Sequence, residues 1–160
     1  MALLTVADAK YYIGSALEPT NVDFTATDFA IQAWVEVDGW ETMGNIGDAA
    51  ATITTALINR GRDVKQKGTK NAGSTEMQFA ALLGVTPDEG QEAMAAASRT
   101  KLNYAMRVVM ADGTTAESGT QLLFSGLVMS DRYVGGGANS VVMRAFPVEI
   151  NSNVVQVAAT

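Results

Sequence analysis

Short apolar stretches recur along this chain, and clusters of Gly, Asn, Asp and Ser separate them. The stretches are rich in β-branched, aromatic and aliphatic side chains, which is typical of strands bounded by turns. The pattern predicts six strands, at residues 33–40, 51–57, 74–83, 101–111, 119–130 and 140–150. We therefore expect a mainly β fold.

The clearest alternation of apolar and polar positions is in "KLNYAMRVVMA", residues 101–111. One face of this strand carries Leu102, Tyr104, Met106, Val108 and Met110, and the other carries Lys101, Asn103, Ala105 and Arg107. A period of two residues predicts that the first face lies in the core and the second faces solvent. The dipeptide Asp112-Gly113 then signals a hairpin, so strands 101–111 and 119–130 should be antiparallel neighbours.

The stretch "TPDEGQEAMAAASR" predicts the one helix, at about residues 87–99. Thr86 is a suitable N-cap, Pro87 occupies the first helical position, and Glu89 can close a capping box. The alanine-rich interior would let the helix lie close against a sheet. The acids at its start, Asp88, Glu89 and Glu92, could also form a metal or acid/base cluster, but a capped helix N-terminus explains them better.

The composition excludes most catalytic sites. The 160-residue chain has no Cys and no His, so Ser/His/Asp and Cys/His arrangements are impossible. The glycine-rich "VGGGANS" at 134–140 lacks the lysine and helix of a phosphate-binding loop and predicts a flexible turn. Glu36 and Asp38 could form a carboxylate pair, but two exposed acids are more often simply solvated. We expect one domain, residues 1–160, without catalytic activity, metal or cofactor.

No part of the sequence predicts an association with membranes. The N-terminal "MALLTVADAK" lacks the basic start and apolar run of a secretory signal, and eighteen apolar residues stand together nowhere. Hydrophobic residues make up 48% of the chain and charged residues 18%, which is the composition of a chain that folds. We therefore expect a soluble protein that stays where it is translated.

One stretch differs in charge from the rest of the chain. Net charge is −6, yet five of the eleven basic residues lie close together, and they are Arg60, Arg62, Lys65, Lys67 and Lys70. They fall in a predicted loop at about 58–74, which is longer than compact domains usually allow. The acidic balance and the absence of aromatic residues in the loop disfavour nucleic-acid binding. The loop is either merely solvated or a basic arm that docks on the acidic surface of another copy.

The order of these motifs resembles a known family. It runs from "W-x-E-x-D-G-W" at 34–40 through "TITTAL" at 52–57, the basic "RGRDVKQKGTKNAG" at 60–73 and "MQFAALL" at 77–83 to the helix and three long strands. This order is similar to that of the tail tube proteins, or major tail proteins, of long-tailed bacteriophages and phage-like gene transfer agents. The resemblance spans roughly residues 33–155, and the tube protein of type VI secretion shares the fold.

The resemblance implies a β-sandwich or barrel of two packed antiparallel sheets flanked by one α-helix. It implies hexameric rings that stack into a tail tube, the conduit for DNA ejection, with the five basic residues on a stacking arm. Implied partners are a tape measure protein in the lumen and tail terminator and distal tail proteins at the ends. DNA would pass through without specific binding. The location would be the virion tail, assembled in the host bacterial cytoplasm.

Three alternative functions remain open at this point. The chain could be a nucleic-acid-binding module that uses the same basic residues, which strongly salt-dependent DNA affinity would reveal. It could be a small-molecule-binding β-barrel, which would stay monomeric and carry a ligand in stoichiometric amount. It could also be a tube protein of the type VI secretion kind.

Overall fold

The computed structural model describes residues 3–160, and its regular elements are almost all strands. A 3₁₀-helix at Ala26–Phe29 and one α-helix, α1, at Glu89–Ser98 complete the described part. The strands are β1 (Lys10–Ala16), β2 (Val35–Glu36), β3 (Trp40–Thr42), β4 (Ala49–Ala56), β5 (Asp63–Asn71), β6 (Ser74–Ala80), β7 (Tyr104–Val109), β8 (Gln121–Val128), β9 (Arg132–Val134), β10 (Met143–Ile150) and β11 (Val155–Val157).

Nine of these strands form one antiparallel sheet that curls on itself. Its order is β2-β1-β7-β8-β10-β6-β3, with β9 beside β10 and β11 beside β8. Strands β2 and β3 lie at opposite ends of this order but are joined by only three residues. The Val37 amide donates to the Tyr11 carbonyl on one side (2.8 Å), and the Ala80 amide donates to the Gly39 carbonyl on the other (2.7 Å). This connection brings the two ends of the sheet together, so the body resembles a barrel.

The main core lies on the concave face of this sheet, and α1 covers it. Aromatic rings from neighbouring strands meet there: the ring centroids of Tyr11 and Phe79 are 5.8 Å apart, and those of Phe79 and Phe146 are 5.9 Å apart. Met94 brings α1 into the same cluster, and Phe124 contributes from β8. Burial of large apolar side chains is the main stabilising contribution to such a body.

The helix prediction is confirmed, but its predicted start is wrong. The helix spans Glu89–Ser98, and its N-cap is Asp88 rather than Thr86. The Asp88 carboxylate accepts a hydrogen bond from the Gln91 amide (2.9 Å) and thereby satisfies one of the free amides of the first turn. A shorter helix begins here because Asp88 already supplies the cap, and Pro87 therefore lies outside the helix.

Tight packing of α1 against the sheet depends on one glycine. A Cβ atom at Gly90 would lie 2.1 Å from the Glu36 carbonyl oxygen of β2, so only glycine fits at this contact. The buried Gln91 side chain beside it donates to the carbonyls of Asp38 (2.9 Å) and Ala80 (2.8 Å). The helix therefore also holds together the two ends of the curled sheet.

The convex face of β7 and β8 is covered as well, which contradicts one expectation from the sequence. Tyr104, Met106, Val108 and Met110 do face the main core, as the alternation predicts, whereas Leu102 lies before the start of β7 and is 46% exposed. The opposite face of β7 was expected to be solvated, yet Asn103 and Ala105 are buried. Phe24 and Phe29 of the N-terminal segment pack over it in a second apolar cluster. Local alternation could not predict this cover because it comes from residues about 80 positions away.

Arg107 occupies this covered face without an ion pair. Its guanidinium carbon lies 4.2 Å from the ring centroid of Tyr12 and 5.0 Å from that of Trp34, so the charge stacks on two aromatic faces. Partial burial lowers the pKa of the Arg107 guanidinium below its ordinary value.

Most of the predicted strands are confirmed, but the stretch 33–40 is divided, and β1, β9 and β11 were not predicted. The stretch 33–40 forms two short strands, β2 and β3, because the chain turns at Gly39, whose φ of 78° suits glycine. Strand β1, "KYYIGSA", was not predicted although its composition is typical of a strand. Strands β7 and β8 are antiparallel neighbours as expected, and 135–142 is a turn before β10. The mainly β class with antiparallel sheets and one α-helix is confirmed.

Candidate assembly interface: a basic β-hairpin

The second sheet is a hairpin of β4 and β5, which we call the arm (residues 49–71). Strand β4, "AAATITTA", is rich in the β-branched residues that favour strands. A turn at 57–62 reverses the chain, and its Gly61 has a φ of 59°, in the left-handed region that suits glycine. Strand β5 then pairs with β4 from Asp63 opposite Ala56 to Asn71 opposite Ala49.

The interpretation of residues 58–74 as an irregular loop is wrong. Residues 63–71 form β5, and β6 begins at Ser74 after a turn at Gly73. Of the five basic residues, Arg60 and Arg62 lie in the turn, and the three lysines lie on β5. Polar residues such as "KQK" disfavour a strand by composition, but pairing with β4 supplies the partner for the backbone hydrogen bonds.

The structure brings the three lysines to one face of the arm despite their uneven spacing. Residues 65, 67 and 70 would not share a face in a regular strand, whose period is two. The pairing is irregular between Ala50 and Thr52, as in a β-bulge. Two residues along β4, from 50 to 52, lie opposite three residues along β5, from 70 to 67. The register places Lys65 opposite Thr54, Lys67 opposite Thr52 and Lys70 opposite Ala50.

The other face of the arm and its tip are partly apolar. Ile53 is 48% exposed and lies against Gly68 across the ladder. At the tip, Leu57 is 38% exposed and Ile58 is fully exposed. Sequence reasoning missed these residues as interface candidates, although "ALI" directly before the basic residues carried the signal.

None of the five basic residues forms an ion pair within residues 3–160. The ion pairs of this part of the chain are Lys10–Glu36 and the pairs of Arg144 with Glu92 and Asp131. The five positive charges are therefore exposed together on the arm. Like charges this close repel one another unless anions lie nearby.

The arm is also without support from the rest of the subunit. Its two strands pair only with one another, and no residue from 49 to 71 is buried. An isolated two-stranded hairpin is marginally stable in water at best. The arm thus has no buried packing within the subunit, and none of its five basic side chains is in ion-pair contact with a carboxylate of residues 3–160.

Arg144 shows the opposite arrangement inside the body. This arginine is only 2% exposed and binds Asp131 through two hydrogen bonds, Nε to Oδ1 (2.8 Å) and Nη2 to Oδ2 (2.7 Å). Its Nη1 donates to Oε1 of Glu92 on α1 (3.0 Å). The Asp131 carboxylate raises the pKa of the Arg144 guanidinium above its ordinary value. This network connects β10, α1 and the segment before β9, and it has a structural role.

The described residues contain no arrangement that suggests a metal site. Within residues 3–160, no group of three or more acidic side chains converges closely enough to hold a metal ion. Glu36 is paired with Lys10, and the Asp38 carboxylate accepts from the Gly39 amide, so these two acids do not act as a pair. Across the same residues, no helix is long and apolar enough to cross a membrane.

No family model matches the chain, and no curated protein matches it by sequence. Among solved structures, the tail tube of phage SPP1 has a TM-score of 0.67 at 14% identity and covers 98% of this chain and 80% of its own. The chain has the tail tube fold. The resemblance found in the sequence is thus confirmed at the level of the fold.

Contractile injection systems contain similar chains. The sheath/tube terminator of the extracellular system PVC has a TM-score of 0.69 at 10% identity and covers 99% of both chains. A chain of the baseplate of the anti-feeding prophage has a TM-score of 0.67 at 9% identity and covers 99% of this chain and 98% of its own. The likeness extends over nearly the whole chain in each case, so the tail tube fold includes the N-terminal segment, for which the sequence suggested no relative.

Proposed function

We propose that this protein is a non-enzymatic structural subunit of a phage tail tube or a related phage-like particle. The observation that carries the proposal is the arm, a basic hairpin exposed along its whole length on a body with the tail tube fold. A hairpin that gains nothing from its own subunit is explained if a neighbouring copy stabilises it. Its role is then to join subunits.

Charge supports a second copy as the partner of the arm. The chain has seventeen acidic and eleven basic residues, and five of the basic residues lie on the arm. The rest of the chain therefore carries six basic residues against most of the acids, so its surface attracts the arm. A partly exposed ion pair contributes only about 0.2–1 kcal/mol, but several per subunit act together in a repeated assembly.

The finer features of the proposed assembly follow from the family resemblance. Six subunits form a ring, and rings stack into a tube through which DNA leaves the particle. An acidic lumen does not retain the passing phosphates. A tape measure protein occupies the lumen before ejection, and tail terminator and distal tail proteins bind the two ends. The protein is then found in the virion tail after assembly in the host cytoplasm.

Electron microscopy of the purified protein tests the proposal directly. We expect rings or tubes, formed spontaneously or after nucleation by tail extracts, and a reconstruction with six-fold symmetry. Particles that remain monomeric under all these conditions would refute the structural role. A ring of another symmetry would refute only the hexamer.

Charge reversal on the arm tests the role of the basic residues. The double substitution Lys65→Glu and Lys67→Glu should leave the subunit folded and impair tube formation, and added salt should weaken assembly of the unmodified protein. The matched control is Arg99→Glu with Lys101→Glu, which changes the net charge equally at an exposed site beyond α1. Equal assembly by the arm variant and the control would mean that the basic residues are merely solvated.

The absence of a metal requirement is tested by removal. We expect purified tubes to contain no stoichiometric metal by elemental analysis and to assemble equally well after treatment with a chelator. Loss of assembly that is restored by one particular metal ion would contradict the proposal that no metal is needed.

Nucleic-acid binding is the second candidate, since one observation favours it. Three lysines on one face of a protruding two-stranded ribbon fit the major groove of DNA, which admits such a ribbon. Titration of the isolated subunit with duplex DNA at several salt concentrations tests this function. Affinity that falls steeply with salt, together with an absence of tubes, would favour it.

A further inference from the structure

The arm and a group of exposed apolar residues lie at opposite ends of the body. The arm leaves the body at the start of β6, where Ser74 pairs with Glu149. At the other end of the same ladder, Ala80 pairs with Met143. Six residue steps separate these ends, which corresponds to about 20 Å. The body therefore has two different ends along the direction of β6, and each end presents a different surface.

The surface at the end opposite the arm is apolar, and we call it the distal patch. It combines the loop after β6 with the loop before β10, which are joined by a hydrogen bond from the Ala81 amide to the Val142 carbonyl (2.9 Å). The residues of the distal patch and their exposures are Leu82 (38%), Leu83 (55%), Val85 (101%), Val141 (67%) and Val142 (48%). A cluster of exposed apolar residues often marks an interaction site, whereas single exposed apolar residues are normal on a monomer.

Carboxylates border the distal patch. The Asp88 amide donates to the Leu82 carbonyl (3.2 Å), which holds the start of α1 against the patch. Glu89 follows and is exposed. Arg132 on β9 also lies at this end, so the two acids leave the border negative overall. Along the chain, the apolar residues of the distal patch are thus followed by the negative charges of Asp88 and Glu89.

The tip of the arm is complementary to this surface in both respects. Leu57 and Ile58 are exposed apolar residues, and Arg60 and Arg62 follow them with positive charge. Apolar side chains can therefore meet apolar side chains while the arginines meet Asp88 and Glu89.

We propose that the distal patch is the surface that receives the arm tip of the next copy. This inference rests on the proposed function, because it names the receiving surface for the arm. The two surfaces are different and lie at opposite ends, so the contact is heterologous and leaves one free arm and one free patch after each addition. Such a contact extends an open stack of subunits rather than closing a two-fold dimer.

Crosslinking of introduced cysteines tests the contact, since the natural chain has no Cys. Subunits with Ile58→Cys are mixed with subunits with Val85→Cys, assembled, and treated with a short bis-maleimide crosslinker. We expect a covalent dimer that contains one subunit of each kind. The doubly substituted chain, Ile58→Cys with Val85→Cys, should give a ladder of covalent oligomers because each subunit then joins two neighbours.

The matched control replaces Val85→Cys by Ile31→Cys, at an apolar side chain that is 89% exposed outside the distal patch. Equal crosslinking of Ile58→Cys to both positions would overturn the assignment. A product of one pair only, without a ladder from the doubly substituted chain, would show a closed dimer and would also overturn it.

Electron microscopy of the same samples separates this inference from the proposed function. Tubes without the expected crosslink would leave the structural role intact and refute the distal patch as receiver. An absence of tubes and rings from the unmodified protein would refute both. A Val85→Glu variant gives a second readout, since it should remain folded at an exposed position and assemble at least about tenfold more slowly than the unmodified protein.

Discussion

The body and the arm both consist mainly of β-strands but are stabilised in different ways. In the body, strands bury aromatic and aliphatic side chains such as Phe124 and Phe146 completely. In the arm, no side chain is buried, and the two strands have only their mutual hydrogen bonds. A hydrogen bond in a ladder contributes little net stability because water competes for the same groups. Hence we expect the body to fold alone and propose that a neighbour stabilises the arm.

The treatment of charge differs in the same way. The body pairs its buried Arg144 with two carboxylates, whereas the arm leaves five basic side chains without partners in the described chain. A paired charge stabilises the subunit that contains it. Unpaired charges on a projecting element are available to a second molecule, which is the physical reason to assign the arm to assembly.

The largest effect is predicted for the removal of a buried aromatic side chain from the core of the body. Phe124→Ala should lower the free energy of unfolding by about 3–5 kcal/mol, because it removes buried surface and leaves a cavity. Urea denaturation followed by tryptophan fluorescence measures the change. The comparison variant is Ile53→Ala on the arm, where 48% exposure predicts a loss below about 1 kcal/mol. Equal losses at the two positions would contradict the contrast between body and arm.

The next largest effect is predicted for a substitution that breaks the buried ion pairs of Arg144. Arg144→Met should cost about 3 kcal/mol of unfolding free energy, because it leaves the Asp131 carboxylate without the partner that compensates its desolvation. Thermal and urea denaturation measure the loss. Lys65→Met is the matched control on the arm and should have almost no effect, since Lys65 has no partner. A stabilised Arg144→Met variant would show that the network does not stabilise the body.

A smaller effect is expected where α1 packs on β2. Gly90→Ala should cost about 1–3 kcal/mol, because the new methyl group collides with the Glu36 carbonyl and α1 must shift. Circular dichroism combined with denaturation separates a loss of helix from a loss of packing. Ala96→Ser at an exposed position of the same helix is the control and should cost well under about 1 kcal/mol. A neutral Gly90→Ala variant would mean that the contact is looser than described.

The smallest effect on stability concerns the arm itself. Lys65→Glu with Lys67→Glu should change the unfolding free energy by no more than about 0.5 kcal/mol, because both side chains are exposed and unpaired. Hydrogen exchange sharpens the comparison: arm amides should exchange rapidly in the free subunit and become protected in the tube, whereas β10 amides are protected in both. Slow exchange of the arm in the free subunit would contradict its dependence on a neighbour.

The local pattern of apolar and polar residues predicted much of the fold. The β-rich stretches predict β6, β7, β8 and β10, and the Pro87-Asp88 segment predicts the helix within one turn of its true start. These elements follow from side-chain periodicity and capping chemistry, which act over a few neighbouring residues. The five basic residues of the candidate site were also found from the sequence, since charge is a property of the residues themselves.

The pairing partner of β5, in contrast, was decided only by the tertiary structure. Residues 63–71 have the composition of a loop, and they form β5 because β4 supplies hydrogen-bond partners along their whole length. The same pairing contains the irregularity that gathers Lys65, Lys67 and Lys70 on one face.

The burial of the solvent-side face predicted for β7 and the position of the distal patch were also decided by the tertiary structure. Phe29 packs with Ala105, and the loop after β6 is joined to the loop before β10 by the hydrogen bond from Ala81 to Val142, only because distant segments meet in the fold. Sequence alone determined the mainly β class, the helix and the clustered charge of this protein, since these depend on local residues. The structure alone decided which surfaces face each other and which remain exposed for a neighbour, because that depends on contacts between residues far apart in the chain.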